Sequence, residues 1–227
     1  MPAWVIGFGG VSGIAAAIVY SSWVLAPLLN PELDARRSYV SELAAEGERN
    51  AMFFRISDAA AGVLALFCAL AWSSAVRARP HRGSRWPTLV GSTALAVFAV
   101  ATIMDTVWPL SCTPTHDPTC AAAEAARTVP LHHTLHTMTS SVASIAAVVL
   151  IGALYLLSRY RPRLHRFRTL GAVLVAAVLG TSMWTLAAIA FGGDDLYLGV
   201  AQHAQVGVIS CALVLTGVML LRDSRNR

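Results

Sequence analysis

The sequence predicts an all-α integral membrane protein, a bundle of six transmembrane helices with both termini in the cytoplasm. The first observation is composition: of 227 residues, 56% are hydrophobic and 13% are charged, whereas a soluble domain has about a quarter charged residues. The second is that the apolar residues form six runs, each near the roughly 20 residues that a helix needs to cross a bilayer. The third is that arginine collects in alternate connections, which sets the orientation.

The six apolar runs are continuous and rich in Ala, Leu and Val, without the strict alternation of barrel strands. Because lipid offers no hydrogen bonds to the backbone, continuous runs of this kind predict helices. The first run is too long for a signal-peptide core and follows no basic residue, so we expect it to be retained. With short connections, residues 1–227 are predicted to form one transmembrane domain. The predicted helices are 4–29, 52–76, 87–108, 133–157, 170–191 and 198–221.

Charge predicts which side of the membrane each connection occupies. All 17 basic residues are arginine, and 12 of them lie in the segments 77–85, 159–168 and 222–227, beside a single acid, Asp223. The other connections carry the remaining five arginines with the other 11 acids. The positive-inside rule therefore places both termini and the arginine-rich connections in the cytoplasm. The absence of lysine, together with abundant Ala, Arg and Gly, indicates a bacterial genome, so we expect the membrane to be the bacterial plasma membrane. The net charge of +5 reflects a basic rim suited to anionic lipid headgroups, and we expect no nucleic-acid partner.

Small residues in the helices indicate close packing. Gly9 and Gly13 have the G-x-x-x-G spacing that lets two helix backbones approach, and further small residues occur at 140–144 and 171–180. Packing within the chain is the simpler interpretation, and a homodimer stays open.

Two cysteines in the third connection predict a disulfide. Cys112 and Cys120 lie eight residues apart in a segment rich in turn-forming residues, on the side predicted to be oxidising. A zinc site formed by Cys112, Cys120 and His116 is the alternative, although structural zinc sites usually contain more closely spaced cysteine pairs.

The first outer connection, residues 31–51, is the longest. Apolar residues recur in it at near-helical spacing up to Gly47, a natural helix stop. This pattern predicts a short amphipathic segment at the outer surface, in which Ser41 and Glu42 form a solvated helix-capping pair. The alternative for these two residues is an acid–nucleophile pair.

Several short motifs resemble a known bacterial membrane family. The stretch Ser-Glu-Leu-Ala-Ala-Glu-Gly at 41–47, followed by the aromatic pair at 53–54, resembles the family called domain of unknown function 998. The resemblance covers most of the chain and implies the six-helix fold and its topology, but no activity. The family's aspartate, proline-rich loop and helix-opening histidine resemble Asp105, the loop 112–120 and the histidines of 132–136 in this sequence. Residues 200–203 match the family more loosely.

Ionisable residues near the outer helix ends are the candidates for a functional site, because such groups are costly in a membrane. If the bundle closes, they converge on one outward-facing pocket. Asp58 has an alternative explanation in an ion pair with Arg55, three residues earlier. Asp105 has no local basic partner, so we expect it to contact His133, His136 or an arginine such as Arg37. The pocket candidates are Asp58, Asp105, His132, His133, His136 and His203.

The histidines 132, 133 and 136 fall within one 100° sector of a helix, with the i, i+3 and i, i+4 spacing of metal-binding helices. A zinc site would use His133 and His136, completed by Asp105 or His203. The alternatives are a structural or pH-sensing histidine pair and solvated interfacial histidines.

Three functions remain open at the level of sequence. The first is a non-enzymatic membrane protein that binds a lipid or other amphiphile, or a partner protein, through the outer pocket. The second is a metal-dependent intramembrane lipid hydrolase, in which the metal lowers the pKa of a bound water. The third is a small transporter, which the absence of a central proline in any run disfavours. No catalytic residue is assigned, and no G-x-S-x-G elbow or glycine-rich phosphate loop is present.

Overall fold

The computed structural model describes residues 2–78, 85–192 and 196–225. Within these residues all regular structure is helical, and six helical segments are long and apolar enough to cross a membrane. The all-α, six-span prediction is therefore confirmed. We number the long helices α1 (Ala3–Tyr20), α2 (Ala51–Ala78), α3 (Arg85–Val107), α4 (Leu131–Tyr160), α5 (Arg168–Phe191) and α6 (Leu198–Arg225).

The sequence predicted one continuous helix for the first span, whereas the structure shows a break in it. Helix α1 ends at Tyr20, and the chain continues through a 3₁₀ turn, Ser22–Leu25, into a short helix, Ala26–Leu29. At the junction the Ser21 hydroxyl donates to the carbonyl of Ala17 at 2.8 Å, a local bond that competes with regular helix geometry. The break lies beside an interior cavity, which Tyr20, Ser22 and Trp23 line.

The helices form a closed ring in chain order. Each of α1 to α5 packs against the next helix, and α6 returns to pack along α1. The described part of α5 is the least buried of the spans, whereas α3 and α6 are the most buried. The core of the ring contains fully buried side chains such as Leu95, Phe98, Leu150 and Leu213.

Glycine makes the closure between α1 and α6 possible. A Cβ built on Gly217 would lie 2.5 Å from the carbonyl oxygen of Gly10, and a Cβ on Gly10 would lie 2.8 Å from the carbonyl oxygen of Gly217. On the other side of α1, a Cβ on Gly9 would lie 2.2 Å from the Cβ of Ala71 in α2. The glycines of α1 thus serve packing within the chain, as predicted; a homodimer stays a prediction.

The two ends of the bundle differ in charge. We call the end formed by the connections 30–50 and 108–130 the acidic end, and the opposite end, with the connection 161–167, the arginine end. At the arginine end the guanidinium groups of Arg166 and Arg222 lie 5.0 and 5.1 Å from the ring centre of Phe167, at cation–π distance. The predicted cytoplasmic Arg79, Arg82 and Arg227 lie outside the described residues. Which end faces the cytoplasm stays a prediction.

Cysteine labelling tests that orientation. In a background with Cys68→Ala and Cys211→Ala, Glu32→Cys at the acidic end is expected to react with a membrane-impermeant maleimide in intact cells. Arg163→Cys at the arginine end is expected to react only after the membrane is permeabilised, because the positive-inside rule places it in the cytoplasm. Both positions are exposed in the structure, so a difference in labelling between them reports the side of the membrane on which each position lies. The reverse labelling pattern would contradict the assigned orientation, and the cysteine-substituted parent is the background control.

Candidate functional site

A cavity of about 120 Å³ lies inside the bundle at the acidic end. Its walls come from five helices, α1, α2, α3, α4 and α6, and from the 3₁₀ segment Val40–Ala44 of the first connection. The cavity has room for several water-sized groups. Its charged and polar lining includes Asp58, Asp105, His136, Ser140, Gln202 and Gln205, and its aromatic lining is Tyr20, Trp23, Phe54 and Phe98.

Asp105 and His136, both predicted pocket residues, meet where α3 packs on α4. One carboxylate oxygen of Asp105 accepts from the Thr139 hydroxyl and the other accepts from the Ser140 hydroxyl at 3.0 Å. The His136 Nδ1 lies 3.8 Å from the Asp105 carboxylate and 2.9 Å from the carbonyl oxygen of Trp108. Because a carbonyl can only accept, Nδ1 carries the hydrogen of that bond. The prediction that Asp105 contacts a histidine is thus met by His136, with two hydroxyls added.

Asp58 lines the same cavity but makes no hydrogen bond or ion pair with any described residue. The predicted alternative, an ion pair with Arg55, is wrong. The Arg55 Nε instead donates to the carbonyl oxygen of Ala44 at 2.7 Å, because the first connection folds back over the start of α2. Asp58 is therefore a carboxylate on the cavity wall without a protein cation.

Two of the predicted pocket histidines contact connections instead of the cavity. The Nδ1 of His133 accepts from the backbone N–H of Ser111 at 3.2 Å, and its Nε2 lies 3.7 Å from Glu124. The Nε2 of His132 lies 3.6 Å from Glu46. Both rings are therefore drawn to the acidic-end connections, and neither is among the cavity-lining residues.

His203 also lies outside the cavity lining, behind one of its aromatic walls. Its Nδ1 is 2.7 Å from the carbonyl oxygen of Gly199, and its ring packs edge-on against Trp23 with 5.2 Å between ring centres. Asp194 and Asp195, which precede α6 in the sequence, lie outside the described residues.

These positions separate the predicted zinc ligands His133, His136, Asp105 and His203. Within the residues that the structure describes, no three His, Cys, Asp or Glu side chains come together as a metal site would require. Asp105 and His136 remain adjacent, whereas His133 and His203 contact other partners. The alternative zinc site with His116 is excluded because Cys112 and Cys120 form the predicted disulfide, with Cα atoms 5.9 Å apart.

Glu42 is a key residue whose burial was not predicted from the sequence. Glu42 caps its 3₁₀ segment together with Tyr39, whose backbone N–H donates to it at 2.9 Å, and not with Ser41 as predicted. Glu42 is also 0% exposed and therefore not solvated. The other partner is Thr115 in the third connection, which donates from its backbone N–H at 2.8 Å and from its hydroxyl. Burial raises the pKa of the Glu42 carboxyl, and these hydrogen bonds oppose the rise only in part.

The segment Val40–Ala44 forms one wall of the cavity and is hydrogen-bonded to other parts of the chain. The Val40 backbone N–H donates to the Gln202 side chain of α6 at 3.2 Å, and Glu42 joins the segment to the disulfide loop 112–120. Further along, the Gly199 N–H donates to the carbonyl oxygen of Arg36 at 3.0 Å. The predicted amphipathic surface segment is therefore a packed wall of the site, with Glu42, Leu43 and Ala44 buried.

Sequence reasoning also missed the uncharged polar residues of the site. Thr139 and Ser140 bind Asp105, and Gln205 donates to the Ser182 hydroxyl of α5 at 2.9 Å. A signal was present, since Gln202 and Gln205 are amides near the start of an otherwise apolar helix. Polar residues inside a span usually face the bundle interior.

A family model described as Protein of unknown function (DUF998) matches residues 13–219. The matched range contains every cavity-lining residue named above. No curated protein and no solved structure matches the chain significantly.

Proposed function

The chain belongs to the DUF998 family, as its motifs predicted, and from this premise we propose that it is a multi-pass membrane protein that binds an amphiphile through the cavity at its acidic end. The family description assigns no activity, so the proposal depends on the site alone. We further propose that the membrane is the bacterial plasma membrane and that the acidic end faces outward.

The observation that carries the proposal is a pair of carboxylates on the wall of a cavity inside a membrane-spanning bundle. Asp58 and Asp105 both line it, and the described lining contains no arginine. Placing carboxylates in a membrane is costly, and such residues are typically retained for ligand or ion binding. The remaining lining combines hydroxyls and amides with aromatic rings, a mixture typical of small-molecule sites.

Depth in the bundle favours an amphiphile over a fully water-soluble ligand. Asp58 lies seven residues after the start of α2, about 10 Å along the helix axis, and Asp105 lies two residues before the end of α3. These depths correspond to the headgroup and upper acyl region of a bilayer. A molecule with a polar head and an apolar tail matches the polar cavity and its lipid surroundings.

The alternative functions receive less support from the same residues. A metal-dependent hydrolase needs three protein ligands at an open metal, and the described residues bring only Asp105 and His136 side by side. A transporter is typically built with discontinuous helices near the midplane, whereas the described helices that line the cavity run unbroken through their middle sections.

Filling the cavity tests the proposal. Ser144 lines the cavity and makes no hydrogen bond with a described residue, so Ser144→Phe occupies space without breaking the Asp105 contacts. We expect mass spectrometry of the detergent-purified protein to find a co-purifying amphiphile at near-stoichiometric amount. In Ser144→Phe this amount is expected to fall at least about tenfold, since the added phenyl ring takes up space inside the cavity.

The matched control is Met138→Phe, which adds an aromatic ring to the same helix at a position that is 59% exposed. It is expected to retain the amphiphile. Equal lipid content in the wild type and both variants, with all three folded, would contradict the proposal.

A further inference from the structure

Two polar groups of the cavity-lining residues have no protein partner. One is the Asp58 carboxylate, described above. The other is the Trp23 indole N–H, whose nitrogen is buried and makes no hydrogen bond in the described part of the chain. Nearly all buried polar groups in proteins are hydrogen-bonded to protein or solvent, so these groups point to an occupant of the cavity. A hydrogen-bond donor of the ligand would pair with the Asp58 carboxylate, whereas the indole N–H needs an acceptor such as water.

The charge of the walls indicates what this ligand carries. Asp58 and a second carboxylate, Asp105, line the same cavity, and the described lining contains no arginine. Asp105 accepts two hydroxyl hydrogens, and a carboxylate has about four acceptor sites in all. Both side chains can therefore still accept hydrogen bonds, and a partly desolvated carboxylate pair is stabilised most by a positive charge.

An organic ammonium group fits this lining better than a metal ion or an anion. An ammonium group donates up to three hydrogen bonds, which suits the carboxylate and hydroxyl acceptors on the wall. Its carbon substituents suit the aromatic rings of Tyr20, Trp23, Phe54 and Phe98, because aromatic faces attract alkylammonium cations. A metal ion needs more ligands than the two adjacent groups Asp105 and His136 supply, and an anion is repelled by both aspartates.

We infer that the ligand of this cavity is an amine, whose ammonium group binds between Asp58 and Asp105. This inference rests on the proposed function and specifies the polar head of the bound molecule. The same chemistry could come from a long-chain amine in the membrane or from a short amine in water, so the test separates these two sources.

The experiment measures saturable binding of radiolabelled dodecylamine to the protein in phosphatidylcholine nanodiscs, with empty nanodiscs as background. Unlabelled dodecanol, dodecanoic acid and ethylamine serve as competitors. The inference predicts displacement by dodecanol and dodecanoic acid at least about tenfold weaker than by dodecylamine, since a hydrogen bond to a charged group typically contributes at least that factor.

Asp58→Asn provides the decisive variant. Because Asp58 has no partner in the described protein, removing its charge is expected to leave the melting temperature of the ligand-free protein equal or higher, while dodecylamine binding falls at least about tenfold. Glu32→Gln removes an exposed acid at the same end and is expected to change neither quantity.

The outcomes separate this inference from the proposed function. Equal displacement by dodecanol or dodecanoic acid, or unchanged binding in Asp58→Asn, overturns the amine while leaving amphiphile binding in place. If ethylamine displaces the label as strongly as dodecylamine does, the result supports an ammonium-binding site and overturns the proposal that the ligand is an amphiphile. No saturable dodecylamine binding overturns the amine, and the co-purification experiment then decides the proposed function separately.

Discussion

Valine in place of Gly217 is expected to destabilise the protein strongly by forcing α1 and α6 apart. Its Cβ would lie 2.5 Å from the carbonyl oxygen of Gly10 and 3.0 Å from the backbone nitrogen of Ile14. Backbone atoms cannot rotate away as a flexible side chain can, so α1 and α6 must separate. Overpacking typically costs about 1–3 kcal/mol and occasionally more, and we expect the upper part of that range.

The measurement is the melting temperature in detergent, followed by fluorescence-detected size exclusion. Gly152→Val is the matched control, since a Cβ on Gly152 in α4 meets nothing within 4 Å and the intrinsic change in helix propensity is the same. A large drop for Gly217→Val with little change for Gly152→Val is the expected result. Equal melting temperatures for the two variants would contradict the closed ring.

Glu42→Ala is expected to destabilise the acidic end by about 2–4 kcal/mol, because it removes the acceptor of three hydrogen bonds in a fully buried site. Each buried donor left without a partner costs about 1–3 kcal/mol, and the backbone N–H groups of Tyr39 and Thr115 have no other acceptor among the described residues. The loss appears as a lower melting temperature and as faster amide hydrogen exchange in residues 39–45. Glu32→Ala, at an exposed position in the same connection, is the control. If Glu42→Ala lowered the melting temperature as little as Glu32→Ala does, the role of Glu42 would be contradicted.

The ionisation of Glu42 adds a pH dependence with a definite sign. Burial raises the pKa of this carboxyl above its ordinary 4.5, so the folded chain holds the proton more tightly than the unfolded chain does. The corresponding stabilisation is complete below pH 4.5 and is lost as the pH rises through the raised pKa. The melting temperature of the wild type minus that of Glu42→Gln should therefore fall as the pH rises above this value. A difference that grows with pH would contradict the assigned direction.

Much of the fold was predictable because a bilayer imposes simple requirements. A continuous apolar run near the required length has to be a helix, so the six spans could be located from composition alone. The packing of α6 against α1 was not predictable, since a Gly-x-x-x-Gly pattern indicates close helix packing but does not identify the helix that packs there. Only the three-dimensional structure places Gly10 against Gly217.

The candidate site was predictable in part. Asp58, Asp105 and His136 line one cavity, as their common level near the helix ends indicated. His132 and His133 share a helix sector with His136, yet they contact Glu46 and Ser111, residues of connections whose path no helical periodicity encodes. Glu42 was missed for the same reason, because its burial depends on Thr115, which is 73 residues away in the sequence.

The location of a bound amine is the most direct test of the central claim that the acidic-end cavity is a ligand site. A dodecylamine with a photoreactive diazirine near its nitrogen would be cross-linked to the protein in nanodiscs and the modified peptides identified by mass spectrometry. Labels are expected on cavity residues such as Tyr20, Phe54 and Ser144, and excess unlabelled dodecylamine is expected to abolish them. Labels confined to the apolar lipid-facing groove between α3 and α4, around Trp86 and Val142, would contradict it.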